Sequence, residues 1–270
     1  QHRIVAKVDE LMALCDQLEQ QQESSISAHQ TLVQTLLSAL TNATEREGFT
    51  AAWVRIAEHF DTLFTTKWSI DQLKQTILQL AVMGKLVPQN PNDEPASELL
   101  KKMATEKTKL AKEGKTKKQK PLPPVEKDKK PFALPKGWEY CRLGDIIQIS
   151  SGNGLTAANM CKGGDVPVFG GNGITGYHDE GNVFQETLVI GRVGFYCGSI
   201  HLTPELAWVT DNAFITTFSV SNIYLHYLVW LLKGTNLKED ENATAQPVIS
   251  GRKVYPIIVA PPPKAEQHRI

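Results

Sequence analysis

The stretch Val166-Pro-Val-Phe-Gly-Gly-Asn-Gly-Ile-Thr-Gly-Tyr177 joins a short apolar run to a glycine-asparagine turn. Apolar runs bounded by glycine and asparagine are typical of short strands that end in tight turns. The stretch lies where glycine is concentrated, since thirteen of the 19 glycines fall between Gly144 and Gly198 and three precede residue 131. The chain therefore divides into a glycine-poor N-terminal part and a turn-rich C-terminal part.

Around this stretch the apolar pattern predicts further short strands and one buried helix. The predicted strands cover residues 139–149, 166–169, 187–190, 195–200, 213–218 and 254–259, and the helix covers residues 223–233. Gly152-Asn-Gly154 and Gly171-Asn-Gly173 are signals for tight turns. We expect an α+β domain with many turns.

Towards the N-terminus, apolar residues recur at heptad spacing over residues 1–40, which contain neither proline nor glycine. The seam comprises Ile4, Val8, Leu11, Cys15 and Leu18, then the polar Gln22, Ser25 and His29, then Leu32, Leu36 and Ala39. It predicts a helix of about 40 residues, roughly 60 Å long, paired with a second helix. The alternative is one arm of an ordinary helical bundle.

Several helix boundaries follow. We expect a break at residues 42–48 and a shorter helix over residues 50–64. Ser69-Ile-Asp-Gln72 matches a capping box, Gly84 matches a C-terminal cap, and a further helix is expected over residues 96–112.

The formal net charge of zero hides three unlike segments. Residues 1–97 carry 7 basic and 12 acidic side chains, residues 98–130 carry 12 and 5, and residues 131–270 carry 10 and 12, giving −5, +7 and −2. The lysine-rich segment, with the Lys/Pro-rich linker 114–130, either neutralises DNA phosphates or forms a solvated tether.

The composition excludes several classes. With 41% apolar and 21% charged residues, the chain is neither collagen-like nor globally disordered, and no apolar run has membrane-spanning length. Four cysteines without C-x-x-C spacing argue against zinc ribbons and suggest a reducing compartment, hence the cytoplasm. The first residue is Gln, so we expect a cut or processed end.

No catalytic set emerges from these residues. There is no Walker loop, Rossmann fingerprint or Asn-Pro-Pro-aromatic motif. His178-Asp179-Glu180 is better explained as a charged loop than as a metal site, since adjacent residues rarely converge on one ion. Cys197 and His201 form an isolated pair, for which a small buried thiol is the simpler interpretation. We expect no catalytic residue and no metal.

Together, several short segments of the sequence resemble the specificity subunit of type I restriction-modification systems. The resemblance rests on Leu134-Pro-Lys-Gly-Trp-Glu-Tyr-Cys-Arg-Leu-Gly-Asp145, Val166–Tyr177, Leu188-Val-Ile-Gly-Arg-Val-Gly194, Gln246-Pro-Val-Ile-Ser250, the exit Pro261–Ile270 and the spacer end Leu73–Leu86. It implies a long antiparallel, coiled-coil-like helical spacer followed by a glycine-rich α/β target recognition domain.

The implied layout is a helical region at 1–113, a linker at 114–130, a recognition domain at 131–265 and the start of the next conserved helix at 266–270. Gln1-His-Arg-Ile4 recurs as Gln267-His-Arg-Ile270, so the chain spans one apparent period. The family has two recognition domains and this chain carries one. It is then either the C-terminal half of a longer subunit or a half-size form that self-associates as a homodimer.

The resemblance further implies a non-catalytic role on double-stranded DNA, away from membranes. The chain would read half of a bipartite site and scaffold two modification (methyltransferase) subunits and the restriction subunits. It would hold no cofactor, while S-adenosylmethionine, ATP and Mg belong to those partners.

Side-chain chemistry and loop placement select the contact residues, because Asn and Gln pair with adenine and Arg with guanine. For base or groove contacts we predict Asn153, Asn172, Tyr177, His178, Arg192, Asn212 and Gln246. For phosphate contacts we predict Lys162, Arg252 and Lys253. Two rivals are an enzyme using Cys197, His201 and Asp211, and a coiled-coil interaction module without a nucleic-acid role.

Overall fold

The computed structural model describes residues 2–114, 122–161, 163–238 and 248–270. The helices are α1 (His2–Asn42), α2 (Arg46–Glu58), α3 (Phe60–Leu63), α4 (Lys67–Val82), α5 (Ala96–Lys112), α6 (Leu143–Ile146), α7 (Leu225–Lys233), α8 (Gly251–Val254) and α9 (Lys264–Gln267). The strands are β1 (Cys141–Arg142), β2 (Ile147–Ser151), β3 (Val166–Gly170), β4 (Gly173–His178), β5 (Leu188–Gly191), β6 (Ile200–Leu202), β7 (Trp208–Val209), β8 (Ala213–Phe218) and β9 (Ile258–Val259).

The chain separates into two compact units, residues 1–79 and 80–270. The predicted boundary at 113/114 does not coincide with this division, because α5 belongs to the second unit. None of the helices in the described ranges is both long and apolar enough to cross a lipid bilayer.

In the first unit, α1 is one continuous helix of 41 residues, as the heptad pattern predicts. Its C-terminal part packs against α2, and Val33, Leu37 and Leu40 are buried. The first half of the predicted seam is exposed, with Ile4 69% and Leu18 55% accessible. Within the described part of this unit, pairing of that seam with a second helix is therefore not confirmed.

Two boundaries in this unit differ from the prediction. The expected helix over residues 50–64 forms as α2 and α3, which are interrupted at His59. The capping box at Ser69 is wrong, because α4 begins at Lys67 and Ser69 lies in its first turn. Thr66 caps the helix instead. The Ser69 N–H donates to Thr66 Oγ1 (3.1 Å) and the Thr66 N–H donates to Ser69 Oγ (3.2 Å), a reciprocal pair one turn earlier.

In the second unit, the end of α4 confirms the predicted cap. Gly84 has φ +70°, and the Lys85 N–H donates to the Leu80 carbonyl over 2.9 Å. A Cβ on Gly84 would lie 2.6 Å from Pro135, so packing also requires glycine. Helix α5 covers residues 96–112 as predicted, and its Leu99 and Met103 join the main core.

The described residues of the second unit form three small sheets beside its helices, which confirms the α+β class. One sheet is antiparallel with strand order β2-β8-β5-β6, the second has order β4-β3-β7, and β1 pairs with β9. In β5, Leu188 and Ile190 belong to the helix-covered main core, whereas Val189 belongs to a second core shared with β3 and β7. Because side chains alternate along a strand, β5 has a buried core on both faces.

Several strand predictions are wrong. The single strand over residues 139–149 forms as β1, α6 and β2, because the Asp145 carboxylate accepts the Arg142 N–H (2.8 Å) and turns the chain. Residues 195–198 form a turn, and Gly194 before it and Gly198 at its end both have positive φ, so β6 begins only at Ile200. The last strand shortens to β9, because α8 occupies its predicted start.

The short helix α9 near the end of the described chain is hydrogen-bonded to two other segments of the second unit. The Gln267 side-chain oxygen accepts the Tyr224 N–H (2.8 Å), and Glu266 Oε1 accepts from Gln89 Nε2 (3.2 Å). Glu266 has no exposed surface, and this burial raises the pKa of its carboxyl.

We predict that Gly191→Ala destabilises the second unit by about 3 kcal/mol, because its Cβ would lie 2.1 Å from the Gly171 carbonyl oxygen. The measurement is chemical unfolding followed by near-ultraviolet circular dichroism. Gly163→Ala is the matched control, since a Cβ there meets no atom within 4 Å. Equal stability of the two variants would contradict the close approach.

We predict that Glu266→Gln stabilises the chain at neutral pH. The raised pKa of Glu266 means that the folded state binds the proton more tightly than the unfolded state. Wild-type stability therefore falls as pH rises from about 4.3, the ordinary value, through the raised folded value. Unfolding measured at several pH values should show the variant's advantage growing over this window. Glu180→Gln, at an exposed glutamate, is the control.

Candidate nucleic-acid interface

The β3–β4 turn presents the first predicted contact residue. Gly170 and Gly173 pair across the hairpin, and Gly171 and Asn172 form the two-residue turn. Gly173 has φ +84°, a conformation that L-residues rarely adopt. The Asn172 side chain is consequently exposed at the tip of a tight turn.

The turn between β7 and β8, residues 210–212, lies beside this hairpin. The Thr210 N–H donates to the Phe169 carbonyl (2.9 Å), and the Asn212 carbonyl accepts the Arg192 N–H (2.9 Å). The turn is thus bonded to the ends of both β3 and β5. Its Asp211 and Asn212 side chains are exposed.

The loop after β2 lies along β7. The Asn153 N–H donates to the Val209 carbonyl (3.0 Å), and the Asn153 carbonyl accepts from Trp208 Nε1 (3.2 Å). A Cβ on Gly152 would lie 2.2 Å from the Val209 oxygen, so this approach needs glycine. The Asn153 side chain remains exposed.

These three segments enclose a cleft of about 450 Å³. The loop after β2 contributes Leu155, Thr156 and Met160, the hairpin contributes Gly171, and the β7–β8 turn contributes Asp211 and Asn212. We call it the loop cleft. Apolar and polar side chains both line it, an arrangement suited to a flat ligand edge with hydrogen-bonding groups.

Arg192 has internal partners. Its Nη1 donates to the Asp211 carbonyl (3.2 Å) and to Ser151 Oγ (3.3 Å), and its guanidinium lies 5.4 Å from the Phe214 ring centroid. The side chain is half-buried. These contacts hold the β7–β8 turn in place, and a base contact by Arg192 stays a prediction.

Tyr177 and His178 lie at the other end of β4. His178 pairs with Val166, whereas the turn joins Gly170 to Gly173, so His178 and Asn172 are about 20 Å apart along the strand. Tyr177 is exposed, and the His178 ring packs edge-on against Trp208 at 5.4 Å. Neither residue lines the loop cleft, although the Trp208 ring that His178 contacts also donates to the Asn153 carbonyl.

The predicted phosphate contacts Arg252 and Lys253 are neighbours in the sequence. Arg252 is exposed and Lys253 half-buried, both on α8. The Ile249 N–H donates to the Arg192 carbonyl (3.0 Å), which ties the segment before α8 to the end of β5. Lys162 and Gln246 lie outside the described residues.

The side chains of Ser199 and His201 form a hydrogen-bonded pair that contacts the β3–β4 turn. The Ser199 hydroxyl donates to the Gly171 carbonyl (3.0 Å), and His201 Nε2 lies 3.0 Å from Ser199 Oγ. Because the serine proton is used by Gly171, this contact suits a histidine N–H donor. Burial, and next the charge of Lys233, lower the pKa of His201, which favours the neutral ring.

Sequence reasoning missed this pair and the cleft. It noticed His201 only beside Cys197, which is fully buried, and Asp211 only as part of a possible enzyme. Within the described ranges no three His, Cys, Asp or Glu side chains are placed to hold a metal ion. The Thr-Asp-Asn turn between two strands is the signal that points to Asp211.

The family model of the type I restriction modification DNA specificity domain matches residues 135–270, slightly more than half of the chain. The chain belongs to this family. The match covers all three segments of the loop cleft, so the cleft is a feature of the specificity domain.

Two similar proteins are named type I restriction enzyme specificity subunits. The type I restriction enzyme EcoAI specificity subunit of Escherichia coli is 64% identical over 152 residues, 56% of this chain and 26% of that protein. The EcoEI specificity subunit of Escherichia coli is 65% identical over 147 residues, 54% of this chain and 25% of that protein. The chain thus spans about a quarter of the length of these relatives.

Among solved structures, the S subunit of the type I restriction-modification system from M. genitalium is similar. It is 18% identical, with a TM-score of 0.43, and the match covers 77% of this chain and 52% of that one.

We predict that Ser199→Ala destabilises the specificity domain by about 1 kcal/mol and loosens the hairpin, because the Gly171 carbonyl loses its donor. Chemical unfolding measures the first effect, and faster amide hydrogen exchange at Gly171–Gly173 measures the second. Ser150→Ala, at an exposed serine of β2, should change neither. Unaltered exchange at the hairpin in Ser199→Ala would contradict the supporting role.

Proposed function

We propose that this chain reads one half of a bipartite DNA sequence as part of the specificity subunit of a type I restriction-modification enzyme. The observation that carries the proposal is the convergence of three hydrogen-bonded turns around the loop cleft, each of which carries an exposed asparagine: Asn153, Asn172 or Asn212. The family membership of this segment supports the same assignment.

The chemistry of these side chains suits the major groove. An asparagine amide both donates and accepts, so it pairs bidentately with the N6 and N7 edge of adenine. Each turn is held by backbone hydrogen bonds, so its backbone needs little reordering when DNA binds. Such preorganised amides discriminate between bases without adding net charge.

Phosphate contacts then have to come from separate cations, because residues 131–270 carry a net charge of −2. Arg252 is exposed on α8, and Lys109 and Lys112 are exposed on the last turns of α5. Lys101 and Lys102 are paired with Glu98 and Glu94. We infer that α5 contributes to the phosphate-binding face together with the linker lysines.

The helical unit would serve assembly. The exposed apolar seam of α1, including Ile4, Val8 and Leu11, suits pairing with a second helix that sets the distance to another recognition domain. Two modification subunits, which bind S-adenosylmethionine and methylate adenine, and ATP- and Mg-dependent restriction subunits are the proposed partners. This chain would hold no cofactor and perform no catalytic step.

The decisive experiment is selection of random-sequence duplexes by this chain mixed with a modification subunit. We predict enrichment of a motif of about 3–5 base pairs, duplicated symmetrically if two copies of the chain associate. Stable assembly without any enriched motif would contradict the DNA-reading role. Failure to bind any duplex would favour the interaction module without a nucleic-acid role.

Two variants distinguish base contacts from phosphate contacts. Asn172→Ala should relax one position of the motif, whereas Arg252→Ala should weaken all sequences alike and lower the salt slope by about 1. Asn92→Ala, at an exposed asparagine before α5, is the control and should leave the motif unchanged.

A further inference from the structure

Asp211 is the acidic residue of the loop cleft. Its side chain is exposed, and its carboxylate makes no hydrogen bond or ion pair with any residue in the described ranges. Arg192, the nearby cation, donates instead to the Asp211 main-chain carbonyl and to Ser151. The carboxylate therefore keeps its full capacity to accept hydrogen bonds.

The position of this carboxylate is fixed by the turn that carries it. The Ala213 N–H donates to the Thr210 carbonyl (3.1 Å), and the Thr210 N–H donates to the Phe169 carbonyl (2.9 Å). Asp211 Oδ2 lies 4.0 Å from the place that a Cβ on Gly154 would take, so the opposing loop passes close to it. The backbone on both sides of the carboxylate is thus held.

The loop cleft contains a second polar side chain that no described residue hydrogen-bonds. Thr210 also lines it, and the Thr210 hydroxyl is buried without a hydrogen-bond partner among the described residues. Beside these polar groups lie Leu155 and Met160, which suit the apolar C5 edge of a pyrimidine. The lining of the cleft therefore combines a carboxylate and hydroxyl groups with apolar side chains.

A carboxylate on a DNA-binding surface has a cost, because it repels phosphates. That cost is offset when the carboxylate meets a hydrogen-bond donor on a base edge. In the major groove the donors are the amino groups of cytosine and adenine, whereas guanine O6 and N7 and thymine O4 are acceptors. Adenine N7 lies beside its amino group and repels a carboxylate, so cytosine fits better.

We propose that Asp211 is a specificity-determining residue that accepts a hydrogen bond from an amino-bearing base, cytosine ahead of adenine. This inference rests on the proposed function, because it names the base class that the loop cleft takes. The expected discrimination against guanine or thymine at that position is about 10- to 100-fold.

The test is the same duplex selection, carried out with the whole chain and a modification subunit, on wild type and Asp211→Asn. The amide retains the shape of the carboxylate but can also donate, so one motif position should change from cytosine or adenine to a mixture that admits guanine or thymine. The other positions should stay unchanged. Asp179→Asn, at an exposed aspartate beyond the far end of β4, should leave every position unchanged.

Each other outcome has a distinct meaning. If Asp211 only repels phosphates, Asp211→Asn will raise affinity for all duplexes by one common factor and leave the motif unchanged, which overturns the inference alone. A motif position that is guanine or thymine in wild type and alters in the variant also overturns it. If wild type enriches no motif, the proposed function itself fails. Equal melting temperatures of wild type and variant exclude misfolding as a cause.

Discussion

The approach of the β3–β4 turn to β5 is the contact on which the candidate interface depends. The Gly171 carbonyl lies where a side chain at residue 191 would begin, and Ser199 supplies its hydrogen bond. Without a Cβ at Gly191, the hairpin of one sheet can lie against the central strand of another. Asn172 then lies beside the β7–β8 turn, because the parallel pairing of β3 with β7 brings the turns after both strands to the same end of the sheet.

The same constraint explains the double-sided core. Strand β5 contributes Leu188 and Ile190 to the core beneath α7, and Val189 to the core shared with β3 and β7. A strand with apolar neighbours on both faces has little freedom to shift its register, because a one-residue slip would exchange the two cores. The turns that are bonded to the end of β5 are therefore held in a defined position. A defined position suits recognition by hydrogen bonds of defined direction.

The charges are arranged to favour discrimination over general affinity. The polar side chains that line the cleft are three threonines, Asp211 and Asn212, while the nearby Arg192 donates to internal acceptors. A site of this kind gains little from phosphate attraction, and its selectivity depends on matched donors and acceptors at base edges. Non-specific attraction is left to lysines such as Lys109 and Lys112 on α5.

The local pattern of the sequence determined the long helix α1, helix α5, the cap at Gly84, strand β8 and the turn at Asn172. Each is a short-range consequence of periodicity or of glycine conformation. Strand β4 and the α6 interruption were not predictable in this way. The first is glycine-rich and finds its stability in pairing with β3, and the second depends on the Asp145 carboxylate bonding a neighbouring N–H.

The sequence by itself also determined the family, because its short segments in order carry the resemblance and the family model matches the same segment. Only the tertiary structure decided which of the predicted contact residues lie on neighbouring turns. It placed the turns that carry Asn153, Asn172 and Asn212 around one cleft that Asp211 also lines, gave Arg192 internal partners and placed His178 at the far end of β4. The physical reason is that these groupings arise from backbone hydrogen bonds between segments distant in sequence, whose partners no local pattern encodes.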